Sequence, residues 1–169
     1  MHARRKFLFT ALGMAAAGAW VLRRPVWGAD AKPEAAAVHF EVEHTEAQWR
    51  AMLTPQQFAV LREAATERAF SSPLDHEKRA GIFHCAGCAL ALFSSKTKFD
   101  SGTGWPSFWR PLANAVATTH DSTFGMDRTA VHCRRCGGHL GHVFDDGPPP
   151  TGLRYCMNGV ALTFEARTA

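Results

Sequence analysis

Five cysteines carry the most legible chemistry in this chain of 169 residues. Four fall into two matched pairs, Cys85-Ala86-Gly87-Cys88 and Cys133-Arg134-Arg135-Cys136. A Cys-x-x-Cys knuckle sets two sulfurs on one side of a tight turn. Two knuckles together supply four thiolates, the ligand set of a tetrahedral zinc site. With all four positions taken by protein, such a metal has no open site and serves structure. Forty-four residues separate the knuckles, more than the ~15–20 of a small zinc ribbon. A shared metal would therefore pin distant parts of one domain. Two disulfides, or a redox-active Cys-x-x-Cys, are the competing readings of the same spacing.

Cys156 has no partner in this pattern. It lies in Arg154-Tyr155-Cys156-Met157-Asn158, where Arg154 favours the reactive thiolate form. His139 and His142 lie upstream in His139-Leu140-Gly141-His142 and offer proton donors or bases. A lone cysteine is as often an inert apolar side chain, and strand histidines are often structural. A third segment, Ser101-Gly102-Thr103-Gly104-Trp105-Pro106-Ser107-Phe108-Trp109, combines glycines that allow close backbone approach with two tryptophans. Those tryptophans serve equally well as core.

The elements needed to position these groups are short. Thr45-Glu46-Ala47-Gln48 has the form of a capping box, followed by Trp49, Met52 and Leu53 at helical spacing. Thr54-Pro55-Gln56-Gln57 repeats the signal before Phe58, Leu61 and Ala65. Ser71 to Gly81 reads as a loop. Beyond Gly81 the apolar stretches are brief: Ile82-Phe83, Leu90 to Phe93, Val131-His132, Val143-Phe144 and Val160 to Phe164. Glycine, proline, aspartate and serine interrupt them, which predicts a mainly β domain of antiparallel strands with functional loops.

Charge and hydropathy locate the remaining segment. Arg4-Arg5-Lys6 precedes an uncharged apolar run from Phe7 to Leu22, too short for the ~20 residues of a spanning helix. That pattern predicts a secretory signal, with small residues for cleavage at Ala29-Asp30-Ala31. Arg4-Arg5-Lys6-Phe7-Leu8 is similar to a twin-arginine export signal. Expected boundaries are therefore a signal at 1–31, a linker at 32–44 and one domain at 45–169, in an exported, periplasmic protein without stable membrane insertion after cleavage. The formal charge of +4 comes from the signal. Basic and acidic residues balance beyond Ala31, which removes the general argument for a nucleic-acid partner.

The segments Gly102 to Phe108, Cys133 to Phe144, Gly147-Pro148 and Gly152 to Asn158 together resemble the methionine sulfoxide reductase B family, in the family's order and over roughly Thr45 to Glu165. The resemblance implies two antiparallel sheets with short N-terminal helices, stapled by zinc on Cys85, Cys88, Cys133 and Cys136. It implies reduction of the R epimer of methionine sulfoxide in oxidised proteins. Cys156 would attack the sulfoxide sulfur and become a sulfenic acid. His139 and His142 would position the sulfoxide oxygen and supply a proton. Trp105 would cradle the substrate methyl with Phe108 beside it. Arg154 would favour the thiolate, and Asn158 would order the site.

The chain departs from many members at Thr103, where a resolving cysteine is usual. This implies a one-cysteine form that needs an external thiol, either thioredoxin-like or small. Met157 follows the nucleophile where another aliphatic residue is usual. Two other classes compete: a zinc-stapled β binding module without catalysis, and a thiol–disulfide oxidoreductase using one knuckle.

Overall fold

The computed structural model describes residues 39–167. The expected signal and most of the expected linker lie outside the described residues.

Two short helices open the domain, α1 (Glu46–Met52) and α2 (Pro55–Glu63). Both begin with the reciprocal capping box read from sequence. Thr45 accepts from the Gln48 backbone and Thr54 from that of Gln57, while each glutamine side chain returns to the cap backbone. These bonds satisfy donors that a helix start otherwise leaves orphaned. Helix α2 ends at Ala64, whose φ of +54° turns the chain out of the helix.

Among the described residues nine strands follow, β1 (Gly81–Cys85), β2 (Ala91–Ser94), β3 (Lys98–Phe99), β4 (Ser107–Phe108), β5 (Val116–Asp121), β6 (Arg128–Cys133), β7 (His139–Phe144), β8 (Arg154–Met157) and β9 (Leu162–Ala166). They form a three-stranded sheet in the order β2-β1-β9 and a six-stranded sheet in the order β3-β4-β8-β7-β6-β5. All described pairings are antiparallel. The segment expected as a loop at Ser71 to Gly81 contains one 3₁₀ turn, Pro73–His76.

The sheets meet through aromatic side chains. Phe83 of β1 packs edge-on against Phe108 of β4 at 4.9 Å between centroids, and Phe93 of β2 stacks on Phe108 at 4.4 Å. All three are fully buried, with Leu92, Val131, Leu140 and Met157 around them. Phe58, Val60 and Leu61 of α2 add to the same core. Burial of this kind is worth about 1.5–3 kcal/mol per large apolar side chain.

Residues 40–44 belong to the domain rather than to a linker. Val42 donates its N–H to the Arg135 carbonyl at 3.0 Å, Glu41 pairs with the Arg135 side chain, and the Phe40 ring lies against Gly137. The chain is thus anchored to the second knuckle before α1 begins.

Candidate active site and metal centre

Strand alternation explains why the nucleophile's neighbours are spaced as they are. Successive side chains on β8 point to opposite faces. Arg154, Cys156 and the following Asn158 therefore share one face, while Tyr155 and Met157 take the other. Met157 is fully buried in the core. Its oxidisable sulfur is thus turned away from the face that carries Cys156.

Register assembles the rest of that face. Cys156 lies directly opposite His142 on β7 and Ser107 on β4. His142 in turn lies opposite Ala130 on β6, and Arg128 and Asp121 form a pair two positions along. Directly opposed residues share a face, so Cys156, His142, Arg128 and Asp121 converge. Gly141 permits the close approach of β7 to β8, because a Cβ there would collide with the Cys156 carbonyl.

His139 and His142 are three positions apart, which on a regular strand would set them on opposite faces. A register shift opposite Val131 and His132 intervenes. Such bulges re-aim side chains. The two rings consequently come within 5.3 Å, centroid to centroid. His139 is nearly buried, and burial, followed by the charges of His132 and His142, lowers its pKa to about 4. At neutral pH it is an uncharged imidazole.

A cavity of about 140 Å³ opens on this face. Thr66, Trp105, Arg128, Gly141, His142, Phe144, Cys156 and Asn158 line it. Six of these, Trp105, Gly141, His142, Phe144, Cys156 and Asn158, come from the glycine–tryptophan, histidine and cysteine segments. Thr66, Arg128 and the supporting Asp121 were not anticipated. His142 donates from Nε2 to Asp121 at 2.8 Å, and Arg128 bonds the same carboxylate at 2.7 Å. These contacts and Thr123 hold the Asp121 carboxyl well below the usual carboxylate range, with the Thr123 hydroxyl the largest cause.

Cys156 itself is partly buried, and desolvation raises its thiol pKa. Thr103, Arg154 and Ser107 act in the opposite direction without overcoming burial. Arg154 therefore moderates the cost of the thiolate instead of producing a strongly acidic thiol. Its guanidinium is also engaged by Asp146 at 2.8 Å and lies 4.4 Å above the Phe144 ring. Thr103 Oγ1 sits 3.8 Å from Cys156 Sγ and bonds Ser101, which bonds Ser107.

Glu67 ties several of these pieces together. Its N–H donates to Asn158 Oδ1 at 2.9 Å, and its carbonyl accepts the Trp105 indole N–H at 3.2 Å. Its carboxylate accepts from the backbones of Gly159 and Val160. Asn158 is completed by its own amide, which donates to the Leu140 carbonyl at 3.1 Å.

Phe108 does not reach the cavity. It pairs with Tyr155, one position from the Ser107–Cys156 pair, and so faces the core. Its ring is fully buried between Phe93 and Phe83. The expectation that it lines the substrate pocket is corrected by this one-residue alternation.

The four paired cysteines form a separate centre. Cys85 and Cys133 close β1 and β6, one in each sheet. All four sulfurs lie within 4.8 Å of one another, with Cys85–Cys136 at 3.8 Å and Cys88–Cys133 at 3.5 Å. A tetrahedron with metal–sulfur bonds of about 2.3 Å has edges of about 3.8 Å. The cluster therefore fits a metal ion, and all five cysteines are free of disulfides. Four thiolates this close need a cation to offset their charge.

A family model described as the SelR domain matches residues 53–166. A peptide methionine sulfoxide reductase MsrB of Pseudomonas putida is 55% identical over 128 residues, covering 75% of this chain and 96% of the relative. The chain belongs to the methionine sulfoxide reductase B family. The protein of that name from Agrobacterium fabrum is 53% identical over 126 residues, and that from Bradyrhizobium diazoefficiens 56% over 128. These cover 74% and 75% of this chain, and 93% and 92% of the relatives. Methionine sulfoxide reductase B membership accounts for the mainly β fold and for the order of the glycine–tryptophan, histidine and cysteine segments along the chain.

Proposed function

We propose that this protein reduces the R epimer of methionine sulfoxide in oxidised proteins, with Cys156 as nucleophile. The observation that carries this reading is the direct cross-strand opposition of His142 and Cys156 at a small cavity walled by Trp105 and Asn158. A sulfoxide becomes a good electrophile only when its oxygen is hydrogen-bonded or protonated, so an acid must stand beside the thiolate. The Cys156 thiolate attacks, its sulfur becomes bonded to the oxygen, and the bond between that oxygen and the methionine sulfur breaks. One proton is taken up, the methionine sulfur gains two electrons and Cys156 is left as sulfenic acid. Trp105 as a wall for the methyl and fixed donors for the oxygen distinguish the epimers.

Thr103 supports a one-cysteine cycle, since a hydroxyl cannot condense with the sulfenic acid to form a disulfide. An external thiol, thioredoxin-like or small, then attacks Cys156 and releases water. A second thiol equivalent restores the cysteine. The four-cysteine centre is read as a structural zinc site, on the grounds of its all-sulfur donors and closed geometry.

The Arg4-Arg5-Lys6-Phe7-Leu8 segment supports export by the twin-arginine route, after folding in the cytoplasm. Thiols loaded with zinc there would reach the periplasm already protected. Replacing Arg4 and Arg5 by lysine and locating the mature chain in cell fractions tests this route.

The catalytic reading is tested with R and S epimers of a peptide methionine sulfoxide and dithiothreitol as reductant. Turnover of R alone, lost in Cys156→Ser with the metal retained, is expected. Folded protein that turns over neither epimer would return the binding-module reading.

A further inference from the structure

We infer that Phe70 forms an apolar subsite beside the catalytic cavity, for the side chain next to methionine sulfoxide in an extended, oxidised polypeptide. The inference rests on the reading of the cavity as the sulfoxide site. Among the described residues, three large apolar side chains are strongly exposed: Met52, Phe70 and Met126. Phe70 is the most exposed of them, at 65%.

Its backbone is also unusual. Phe70 has φ of +62°, a conformation disfavoured for a bulky aromatic residue. Strained residues of this kind persist where surrounding contacts impose them. Here the Phe70 N–H donates to the Gly104 carbonyl at 2.7 Å. The ring lies so close over Gly104 that any Cβ there would strike it. Gly104 itself has φ of +87°. The next residue is Trp105, a wall of the cavity, and its indole is held by Glu67 three residues before Phe70. Thr66, on the same strap, lines the cavity.

An exposed aromatic ring is thus locked one residue from the wall of the catalytic cavity. Nothing in the chemistry at Cys156 requires it. A substrate methionine sulfoxide, unlike a free small molecule, continues in both directions as polypeptide. An extended chain advances about 3.3 Å per residue, so the neighbours of a bound residue pass over the rim. An aliphatic or aromatic neighbour would cover the Phe70 ring, whereas a polar one would leave it in water. Such segments are normally buried in native proteins and become available when oxidation or unfolding exposes them.

The test compares the full chain with Phe70→Asn, since asparagine tolerates the left-handed backbone and removes the ring. Each is assayed with dithiothreitol on pentapeptides with central methionine-(R)-sulfoxide, flanked by leucine or by serine. The parent is expected to favour the leucine peptide by roughly tenfold in kcat/KM, mainly through KM, the equivalent of about 1.4 kcal/mol. Phe70→Asn is expected to remove most of that preference, and Phe70→Leu to keep it. A parent without preference, or a Phe70→Asn protein that loses activity equally on both peptides, overturns the subsite. Absence of reduction of either peptide by the parent removes the reading of the cavity itself, and the subsite with it.

Discussion

Asp121 and His142 are joined by a hydrogen bond of 2.8 Å between strands that are not neighbours in the sheet. An ionised carboxylate only accepts, so Nε2 of His142 carries the proton and the ring plane is fixed. Orientation by a hydrogen-bonded carboxylate is a general device for histidines that act on substrates. Asp121→Asn should therefore lower kcat by about ten- to a hundredfold, the scale on which loss of a carboxylate that orients a functional histidine is felt. Thermal stability should change far less. Steady-state kinetics beside a melting curve separate the two, and an unchanged kcat would sink the role.

Glu67 predicts a different signature. Its carboxylate satisfies two backbone donors, while its peptide group holds Asn158 and Trp105. Glu67→Ala leaves both donors without their partner, at a cost of about 2 kcal/mol. The loosened Trp105 wall should raise KM as well. Stability loss with an unaltered KM would show that the strap does not position the site.

His139 links pH to stability. Its pKa is lowered to about 4 in the fold, from an ordinary value near 6.5 when unfolded. Between these values the unfolded chain binds the extra proton, so stability falls as pH drops from about 6.5 towards 4 and this contribution then levels off. One proton over that window amounts to about 3 kcal/mol. Urea midpoints measured across the window should fall less steeply for His139→Asn than for the parent. Parallel slopes would contradict the assignment.

Phe108 separates core from pocket. Phe108→Leu should cost about 1–3 kcal/mol by removing the ring on which Phe93 stacks and which Phe83 meets edge-on. KM for a peptide sulfoxide should stay within twofold. A large KM rise in stable protein would restore Phe108 to the substrate pocket.

Metal removal should act on the whole domain. A strong chelator under denaturant is expected to strip one ion per chain and lower Tm by well over 10 °C, because binding energy at a closed four-thiolate site is folding energy. Metal content by elemental analysis and calorimetry check both halves of the expectation.

The parts legible from sequence share a local cause. Thr45, Thr54 and their glutamines act within one helical turn, and each Cys-x-x-Cys spans one turn of chain. The parts that were not legible depend on distant pairing. Strand β5 carries polar residues on both faces after Val116-Ala117 and is mostly exposed, so it lacks the alternation that marks a strand. Asp121 and Arg128 therefore gave no sign of meeting His142. The bulge that brings His139 beside His142 is equally silent in His139-Leu140-Gly141-His142. Phe108 misled because its neighbours are functional, although one step along a strand reverses the direction of a side chain.

Strand β8 writes two messages in alternate letters. Arg154, Cys156 and Asn158 spell the chemistry, while Tyr155 and Met157 spell the interior. A single inserted or deleted residue would exchange the messages, driving a guanidinium into the core and a thioether into the cavity. Reactivity and foldedness are thus held in one reading frame of the backbone. Evolution can tune either set of letters, but it cannot shift one set without moving the other.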